Sequence, residues 1–247
     1  MTDPLLPLLD LAGVDDSVAQ TREAVNNLLA NRVLRRRSAE VSVESALRGA
    51  WASAWLAGTE LALADVRSGA AAKDPVMQGA LRAQSAIGAL ADTWTRAPRQ
   101  VLARLHALAA ADLVPDSALL GRPAAAPAVA ARLDTLAAVL AQTSAPAIVV
   151  AGVVHGELLS LDAFPPVSGL VARVAVRLTL VQRGLDPKSL VVVEVGHREL
   201  GDSYPLALEA YRGGTSEGVA LWLRHCADAV VEGAREASAI CTALARG

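Results

Sequence analysis

Few residues in this chain have the types and spacing needed for chemistry, and none forms a complete catalytic motif. Residues 155–157 (HGE) match the HxE part of a zinc deaminase site, but the PCxxC segment that completes that site is absent. No P-loop, dinucleotide fingerprint, HExxH or nucleophile elbow occurs at the spacing that its mechanism requires. A histidine in a core helix, beside a surface Glu157, is therefore the simpler interpretation of His155, and no metal site is predicted.

Two other places carry polar side chains that could bind or react. Residues 212–216 (RGGTS) could hold a phosphate at a helix N-terminus, but a loop followed by an ordinary Thr or Ser cap is the favoured interpretation. His197, Arg198 and Glu199 follow a run of β-branched residues, and His225 adjoins a cysteine. Their spacing predicts no constellation.

A loop over residues 162–169 lies between two apolar segments with helical periodicity, and it contains two prolines and a glycine. A helix that begins at Gly169 would direct its free backbone N–H groups and the positive end of its dipole at this loop. The sequence therefore predicts a helix–loop–helix with an anion site at its centre.

The elements around this loop are predicted to be helical. Hydrophobic residues make up 53% of the 247 positions and aromatic residues only 3%, a composition that favours packed helices and excludes a disordered chain. Residues 1–15 read as an extended N-terminal arm and residues 16–247 as a single domain, and the strand-like run 189–195 is short. We expect a compact all-α bundle. Predicted helices cover about 16–37, 38–58, 75–94, 98–112, 128–142, 146–161, 169–184, 204–212 and 216–244.

Charge and cysteine content restrict the compartment and the partners. A net charge of −2 gives no general reason to bind nucleic acid. The uncharged stretch 135–154 is as long as a membrane span, but polar residues and Pro146 interrupt it, so no membrane segment is expected. Cys226 and Cys241 form neither a disulfide framework nor a zinc site, which favours a reduced, cytoplasmic protein. Arginine outnumbers lysine heavily, as in high-GC (actinobacterial-like) coding.

Residues 162–173 (DAFPPVSGLVAR) resemble the Fic (Fic/Doc, or Fido) family. The hallmark of that family is a helix, a loop reading H-x-F-x-D/E-G-N-G-R-x-x-R and a second helix. Phe164, Gly169 and Arg173 match the motif without gaps. The apolar segments on both sides resemble the two helices of the family, so the resemblance implies a Fic-like helical bundle.

Three further segments extend this resemblance over about residues 38–237. Residues 105–106 (LH) and 121–122 (GR) are similar to landmarks of the fold. Ser53 and Gly58 match the inhibitory-helix signature S/T-x-x-x-E-G/N, in which Ala57 stands where the family has its inhibitory glutamate. Only about five residues follow the GR pair before the next predicted helix, so the β-hairpin flap that usually holds the target segment is expected to be missing.

The departures from the motif affect each part of the family's chemistry. Asp162 stands at the position of the histidine base, and a carboxyl with an ordinary pKa of roughly 3.9 is a weaker base near neutrality. Pro166 replaces the acidic residue that would hold Mg²⁺, and Val167 and Ser168 replace the Gly-Asn pair of the anion nest. Leu170 replaces the first arginine, which leaves Arg173 as the only cation that would face a phosphate.

The resemblance thus implies a degenerate Fic protein, inactive as an AMP transferase, that serves as an interaction or regulatory module for an unidentified protein partner and needs no cofactor or Mg²⁺. The alternative is a nucleotidyl (AMP) or related transferase with altered chemistry that modifies a protein hydroxyl. Asp162 would then be its base, and ATP or another nucleotide would bind at Phe164, Ser168, Gly169 and Arg173. A homodimer and an all-α protein of another family stay open. Trp51 and Trp55 are candidate contact residues.

Overall fold

The computed structural model describes residues 3–246, and within them the chain forms twelve α-helices, two short 3₁₀ helices and no strand. This confirms the predicted all-α fold. Met1, Thr2 and Gly247, which belong to the predicted arm and domain, lie outside the described residues. The helices are α1 (Val14–Leu29), α2 (Leu34–Trp55), α3 (Leu63–Ser68), α4 (Pro75–Ser85), α5 (Ile87–Trp94), α6 (Pro98–Ala109), α7 (Pro127–Gln142), α8 (Ala147–Ser160), α9 (Ser168–Gln182), α10 (Val193–Glu199), α11 (Ser203–Arg212) and α12 (Ser216–Arg246).

The predicted helix–loop–helix is α8, the loop 161–167 and α9, and it lies at the centre of the bundle. Every residue of α9 from Leu170 to Leu180 is buried, and α8 is buried over most of its length. A helix that is buried on all sides belongs to the interior of a bundle. α5, α6 and α8 pack against α9, and the long α12 packs against α1, α8, α10 and α11.

Two helix boundaries differ from the prediction. The arginines at 35–37 lie in the first turn of α2 rather than at the end of a helix, because α1 already ends at Leu29 and Asn31 accepts a hydrogen bond from the Val33 N–H at 3.0 Å. The predicted helix 75–94 is two helices that meet at Ala86. They separate because they pack on different neighbours: α4 on α2 and α6, and α5 mainly on α9.

The strand-like run 189–195 forms no strand. Residues 189–192 lead into α10, which begins at Val193. Their backbone groups are satisfied by other parts of the bundle: the Asp186 carboxylate accepts from the N–H groups of Leu190 and Val191 at 3.0 and 2.8 Å, and Val192 N–H donates to the Gly233 carbonyl at 3.2 Å. The β-branched residues in this run therefore mark burial and not strand pairing.

The N-terminal segment is not an extended arm. Residues Leu6–Asp10 form a 3₁₀ helix, and Leu5 is buried in the core. The Asp3 carboxylate accepts hydrogen bonds from Leu5 N–H at 3.0 Å and from Ser144 N–H and the Thr143 hydroxyl at 2.6 and 2.9 Å. These backbone and hydroxyl donors lower the pKa of Asp3 to about 2. One carboxylate thus joins the N-terminal segment to the connection between α7 and α8.

The apolar stretch 135–154 is divided between α7 and α8 by this connection. Among the described residues, no helix combines the length and the apolar character that crossing a membrane would require.

Replacing Asp3 by Asn should weaken this junction in a pH-dependent way. The folded-state pKa is depressed, so the contribution of Asp3 to stability is present above the unfolded pKa of about 4 and is lost as the pH falls toward about 2. Urea unfolding should show Asp3→Asn less stable than the wild type at pH 7, with the difference disappearing below about pH 2. A constant difference across this range would contradict the assignment.

Gly233 in α12 is expected to tolerate no side chain. A Cβ at this position would lie 2.7 Å from the carbonyl carbon and oxygen of Val192, and backbone atoms cannot move aside cheaply. Gly233→Ala should lower the free energy of unfolding by about 1–3 kcal/mol in urea titrations. Gly88→Ala in α5 is the matched control, because no atom lies within 4 Å of its Cβ position. It should be neutral or stabilising by up to about 1 kcal/mol, owing to the better helix propensity of alanine.

Candidate functional site

The loop between α8 and α9 (residues 161–167, the motif loop below) and the end of α2 meet at one open cavity of about 600 Å³. This volume is within the range of small-molecule sites. Of the predicted site residues, Ala57, Gly58, Gly169 and Arg173 line it. Most of the wall is apolar. One side of the lining is formed by the end of α2 and the residues that follow it (55–58), by Leu159 of α8, by Pro166 and Val167 of the loop, and by Gly169, Leu170 and Arg173 of α9. The other side is formed by α10, α11 and the turn between them: His197, Arg198, Gly201, Asp202, Tyr204, Pro205 and Leu208.

His106 of α6 holds the motif loop against the bundle. Its Nδ1 accepts from Gly121 N–H at 3.0 Å, so the proton lies on Nε2, which donates to the Pro165 carbonyl at 3.1 Å. Its ring packs on that of Phe164 with a centroid distance of 5.6 Å. The predicted landmarks at 105–106 and 121–122 thus meet at the loop, and their role here is to position it.

The backbone N–H groups of the motif loop are hydrogen-bonded within the protein. The N–H groups of Asp162 and Ala163 donate to carbonyls of α8, Val167 N–H donates to the Phe164 carbonyl, and Phe164 N–H donates to the Ser168 hydroxyl at 2.8 Å. The two prolines at 165 and 166 have no N–H. Backbone donors for a ligand are therefore confined to the first turn of α9, whose N–H groups have no partner within the helix.

Arg173 is buried and directed at α2. Its Nε donates to the Ser53 hydroxyl at 2.8 Å, and its Nη2 donates to the Ser53 carbonyl at 2.9 Å. A Cβ on Gly169 would lie 3.0 Å from Nη1, so the glycine leaves this nitrogen uncovered on the side of the first turn of α9. The structure therefore joins the predicted inhibitory-helix position Ser53 to the retained motif arginine.

Asp162 lies apart from this arrangement. It is exposed, has a φ of +42°, and is not among the residues that line the cavity. Phe164 and Ser168 are buried behind the lining. Where the family motif has its acidic residue, the cavity is lined by Pro166. In the described part of the chain, Asp202 supplies the only carboxylate of the lining, and it is exposed.

No β-hairpin covers the loop within the described residues. Between the 3₁₀ helix Ser117–Leu119 and α7 the chain has no strand, and Ala124 N–H donates to the Ala163 carbonyl at 2.9 Å. The short connection thus packs directly on the motif loop.

A cluster of histidines behind the cavity is the feature that the sequence analysis missed. His197 Nδ1 and His225 Nε2 are 3.0 Å apart, and the Tyr204 hydroxyl lies 2.8 Å from His155 Nε2. The His197 ring stacks on Tyr204 at a centroid distance of 4.3 Å. No constellation was expected of His197, Arg198, Glu199 and His225. The structure brings two of them, His197 and His225, together with His155 and Tyr204, because α8, α10, α11 and α12 meet here.

Burial keeps these histidines neutral. It lowers the pKa of His225 to about 4 and holds the pKa of His155 and His197 well below the ordinary value, with nearby charges such as Arg173 acting in the same direction. The pKa of His106 is also lowered by burial. All four histidines of the chain are therefore neutral at pH 7.

Two interpretations of local motifs are confirmed. His155 is fully buried in α8, as expected for a core histidine. Glu157, which was expected at the surface, is instead half-buried: its side chain is 13% exposed, forms an ion pair with Arg132 and accepts from the Tyr211 hydroxyl at 2.9 Å. At residues 212–216 the Thr215 hydroxyl accepts from Gly218 N–H at 3.1 Å, as in an ordinary helix cap.

Comparison with known proteins identifies the architecture. No protein-family model matches the chain, and no curated protein matches it. Among solved structures it is similar to a Fic family protein from Desulfovibrio desulfuricans G20, with a TM-score of 0.75 and 20% sequence identity over 93% of this chain and 75% of that one. The fold is Fic-like. At this level of identity the similarity establishes the Fic-like fold and not the activity.

The lining of the cavity does not fit a magnesium-bound nucleotide. Mg²⁺ sites combine carboxylates with phosphate oxygens, and phosphoryl groups need several positive or N–H donors. Here one exposed carboxylate is present, free backbone donors are confined to the first turn of α9 because those of residues 162–167 are used internally, and two nitrogens of Arg173 are bound to Ser53. The described residues contain no group of three or more His, Cys, Asp or Glu arranged to hold a metal ion.

The four neutral histidines predict that acid destabilises the fold. Their folded-state pKa values are lowered, so their stabilising contribution is complete above the unfolded pKa of about 6.5 and is lost as the pH falls below it, by up to about 1.4 kcal/mol per pH unit for each histidine. Urea unfolding between pH 7 and 5 measures this slope.

His225→Phe is the variant that isolates one member of the set. Between pH 6 and 5, the free energy of unfolding of this variant should fall less steeply with pH than that of the wild type. The slopes should differ by about 1.4 kcal/mol per pH unit, which corresponds to the uptake of one proton. Carboxylates titrate alike in both proteins and cancel in the difference. An unchanged slope would show that His225 is protonated in the folded protein.

Proposed function

We propose that this chain is a Fic-fold protein that does not transfer AMP and acts as an interaction or regulatory module. The observation that carries the proposal is the use of every backbone N–H of residues 162–167 within the protein. An anion nest requires successive N–H groups that point at the ligand. A loop without free donors is poorly suited to hold a phosphate chain during transfer.

The side chains around the loop support the same conclusion. Asp162, at the position of the family's base, is exposed and outside the cavity lining. Pro166 cannot ligate a metal, and Arg173 already donates to both Ser53 oxygens. Base, metal ligand and phosphate clamp are thus each weakened by a different residue.

The cavity rim offers a surface for a protein partner. Trp55 is 37% exposed, and the Arg198 guanidinium lies over both the Trp51 and the Trp55 ring, 4.5 and 5.0 Å from their centroids. Tryptophan and arginine are enriched among residues that dominate binding energy at interfaces. The partner in this proposal is an unidentified protein or a second copy of the chain, met in the cytoplasm and without a cofactor or nucleic acid.

One observation favours the alternative, a transferase with altered chemistry that moves AMP or a related group to a protein hydroxyl. The cavity is open at the N-terminus of α9, where Gly169 leaves Arg173 Nη1 uncovered. A helix N-terminus beside an arginine favours an anion.

A calorimetric titration with ATP, with and without Mg²⁺, distinguishes the two candidates. We expect no heat at millimolar ATP and no transfer of label from ATP to the protein itself or to proteins of a lysate, because the loop lacks free donors and a metal ligand. Arg173→Ala should leave both results unchanged.

Arg104→Ala is the matched control, since Arg104 is exposed and does not line the cavity. ATP binding that Arg173→Ala weakens and Arg104→Ala does not would favour the alternative. Label transfer that Asp162→Ala abolishes would overturn the proposal.

A further inference from the structure

Arg173 carries a buried positive charge that no carboxylate offsets. The residue is 4% exposed, and its acceptors are the hydroxyl and the carbonyl of Ser53, which are both neutral. The nearby Tyr204 hydroxyl is neutral as well, because burial raises its pKa. Arg177 pairs with Glu194, whereas Arg173 forms no ion pair in the described part of the chain. Buried charges in proteins are paired as a rule, so this one indicates a place for an anion.

One nitrogen of this guanidinium opens into the cavity. Arg173 and Gly169 both line the cavity, and Nη1 makes no hydrogen bond within the described residues. Unlike Nε of Arg198, which is sealed from solvent, Nη1 keeps accessible surface. A Cβ on Gly169 would lie 3.0 Å from Nη1 and would cover it. The missing side chain at residue 169 is therefore what exposes the charge.

The first turn of α9 adds backbone donors beside this nitrogen. Gly169 and Leu170 line the cavity, and their N–H groups have no acceptor among the described residues. The Val171 N–H is already bonded, to the Val167 carbonyl at 3.1 Å. The positive end of the helix dipole lies at the same place. One guanidinium nitrogen and two N–H groups suit a small anion with two acceptor oxygens.

The remaining walls restrict the charge and the body of the ligand. The Arg198 guanidinium already has the Glu199 carboxylate at 3.0 Å, so only the charge of Arg173 is left to offset. A phosphate group carries between one and two negative charges at pH 7, and the exposed Asp202 carboxylate of the lining would repel the excess. A carboxylate carries one. The apolar part of the lining, which suits an apolar body, includes Trp55, Val167, Leu170 and Leu208.

We propose that this cavity is a binding site for a monocarboxylate with an apolar body, of the aromatic acid class. One carboxylate oxygen accepts from Nη1 of Arg173 and the other from the first-turn N–H groups of α9, while the body packs against the apolar wall. The site goes beyond the proposed function and does not depend on it, because its ligand is neither a nucleotide nor a protein partner. It gives the module a small-molecule input.

A matched pair of probes tests the role of the charge on the full chain. Para-toluate and para-toluamide have nearly the same shape, but only para-toluate is an anion at pH 7. Calorimetry at millimolar probe should show para-toluate binding at least about tenfold more tightly than the amide. In Arg173→Gln this ratio should fall to about one, since glutamine can still donate to Ser53 but has no charge. Equal affinity of the two probes for the wild type, or binding of neither, would overturn the proposal.

Gly169→Ala tests the opening without removing the charge, and it covers the case in which Arg173→Gln does not fold. Alanine is the better helix former, and its Cβ would cover Nη1. Para-toluate should bind this variant about tenfold more weakly than the wild type. Gly88→Ala is the matched control with unchanged binding, because its Cβ meets no atom within 4 Å and the residue lies outside the lining. Undiminished binding to Gly169→Ala would contradict the assignment.

Inorganic phosphate and ATP separate this site from a phosphate site. Neither should displace para-toluate at equal millimolar concentration, because the cavity offsets a single negative charge. Tighter binding of inorganic phosphate than of para-toluate would overturn the carboxylate assignment. Binding of ATP bears on the proposed function, whereas binding of para-toluate bears on this site, so the two failures are distinguishable.

Discussion

Two arginines one turn apart in the most buried helix place the strongest constraint on this structure. Arg173 and Arg177 lie in α9 with 4% and 2% exposure, and a guanidinium group is stable in a core only where acceptors surround it. α2 meets this need with small residues spaced four apart, which share one helix face. Ser53 accepts from Arg173, Ser45 accepts from Arg177 at 3.1 Å, and Gly49 leaves room, since a Cβ there would lie 2.7 Å from Arg177 Nη1.

The same constraint places the walls of the cavity. Arg177 also donates to the Ser189 carbonyl at 2.6 Å and pairs with Glu194, whose carboxylate lies 3.6 Å from Nη1. Residues 189–192 and α10 are thereby held against α9, and His197 follows Glu194 by less than one turn. The buried arginines of α9 therefore position two walls of the cavity. They hold α2, which contributes residues 55–58 to the lining, and α10, which contributes His197 and Arg198.

The parts of the structure that could be predicted from the sequence are those governed by local signals. The helix–loop–helix follows from apolar periodicity and from prolines and glycines at its centre, and a helix cap such as Thr215 is readable from its neighbours. The histidine cluster could not be predicted, since His155, His197 and His225 share no spacing rule and meet only after four helices have packed. The run 189–195 resembles a strand in sequence because β-branched residues are common on buried surfaces as well as in strands. In the structure, the Asp186 carboxylate, and not a neighbouring strand, accepts the hydrogen bonds of its backbone N–H groups.

The position of Arg173 also bears on which ligands the cavity can favour. Its partners on α2 are neutral oxygens of Ser53, so its charge is not offset there, and it adds to burial in keeping His155 and His197 neutral. An anion bound near Arg173 would offset this charge and make protonation of those rings less costly. The Arg173 guanidinium thus couples the cavity to the histidines behind it, because the charge of a group bound beside it acts on the pKa of His155 and His197.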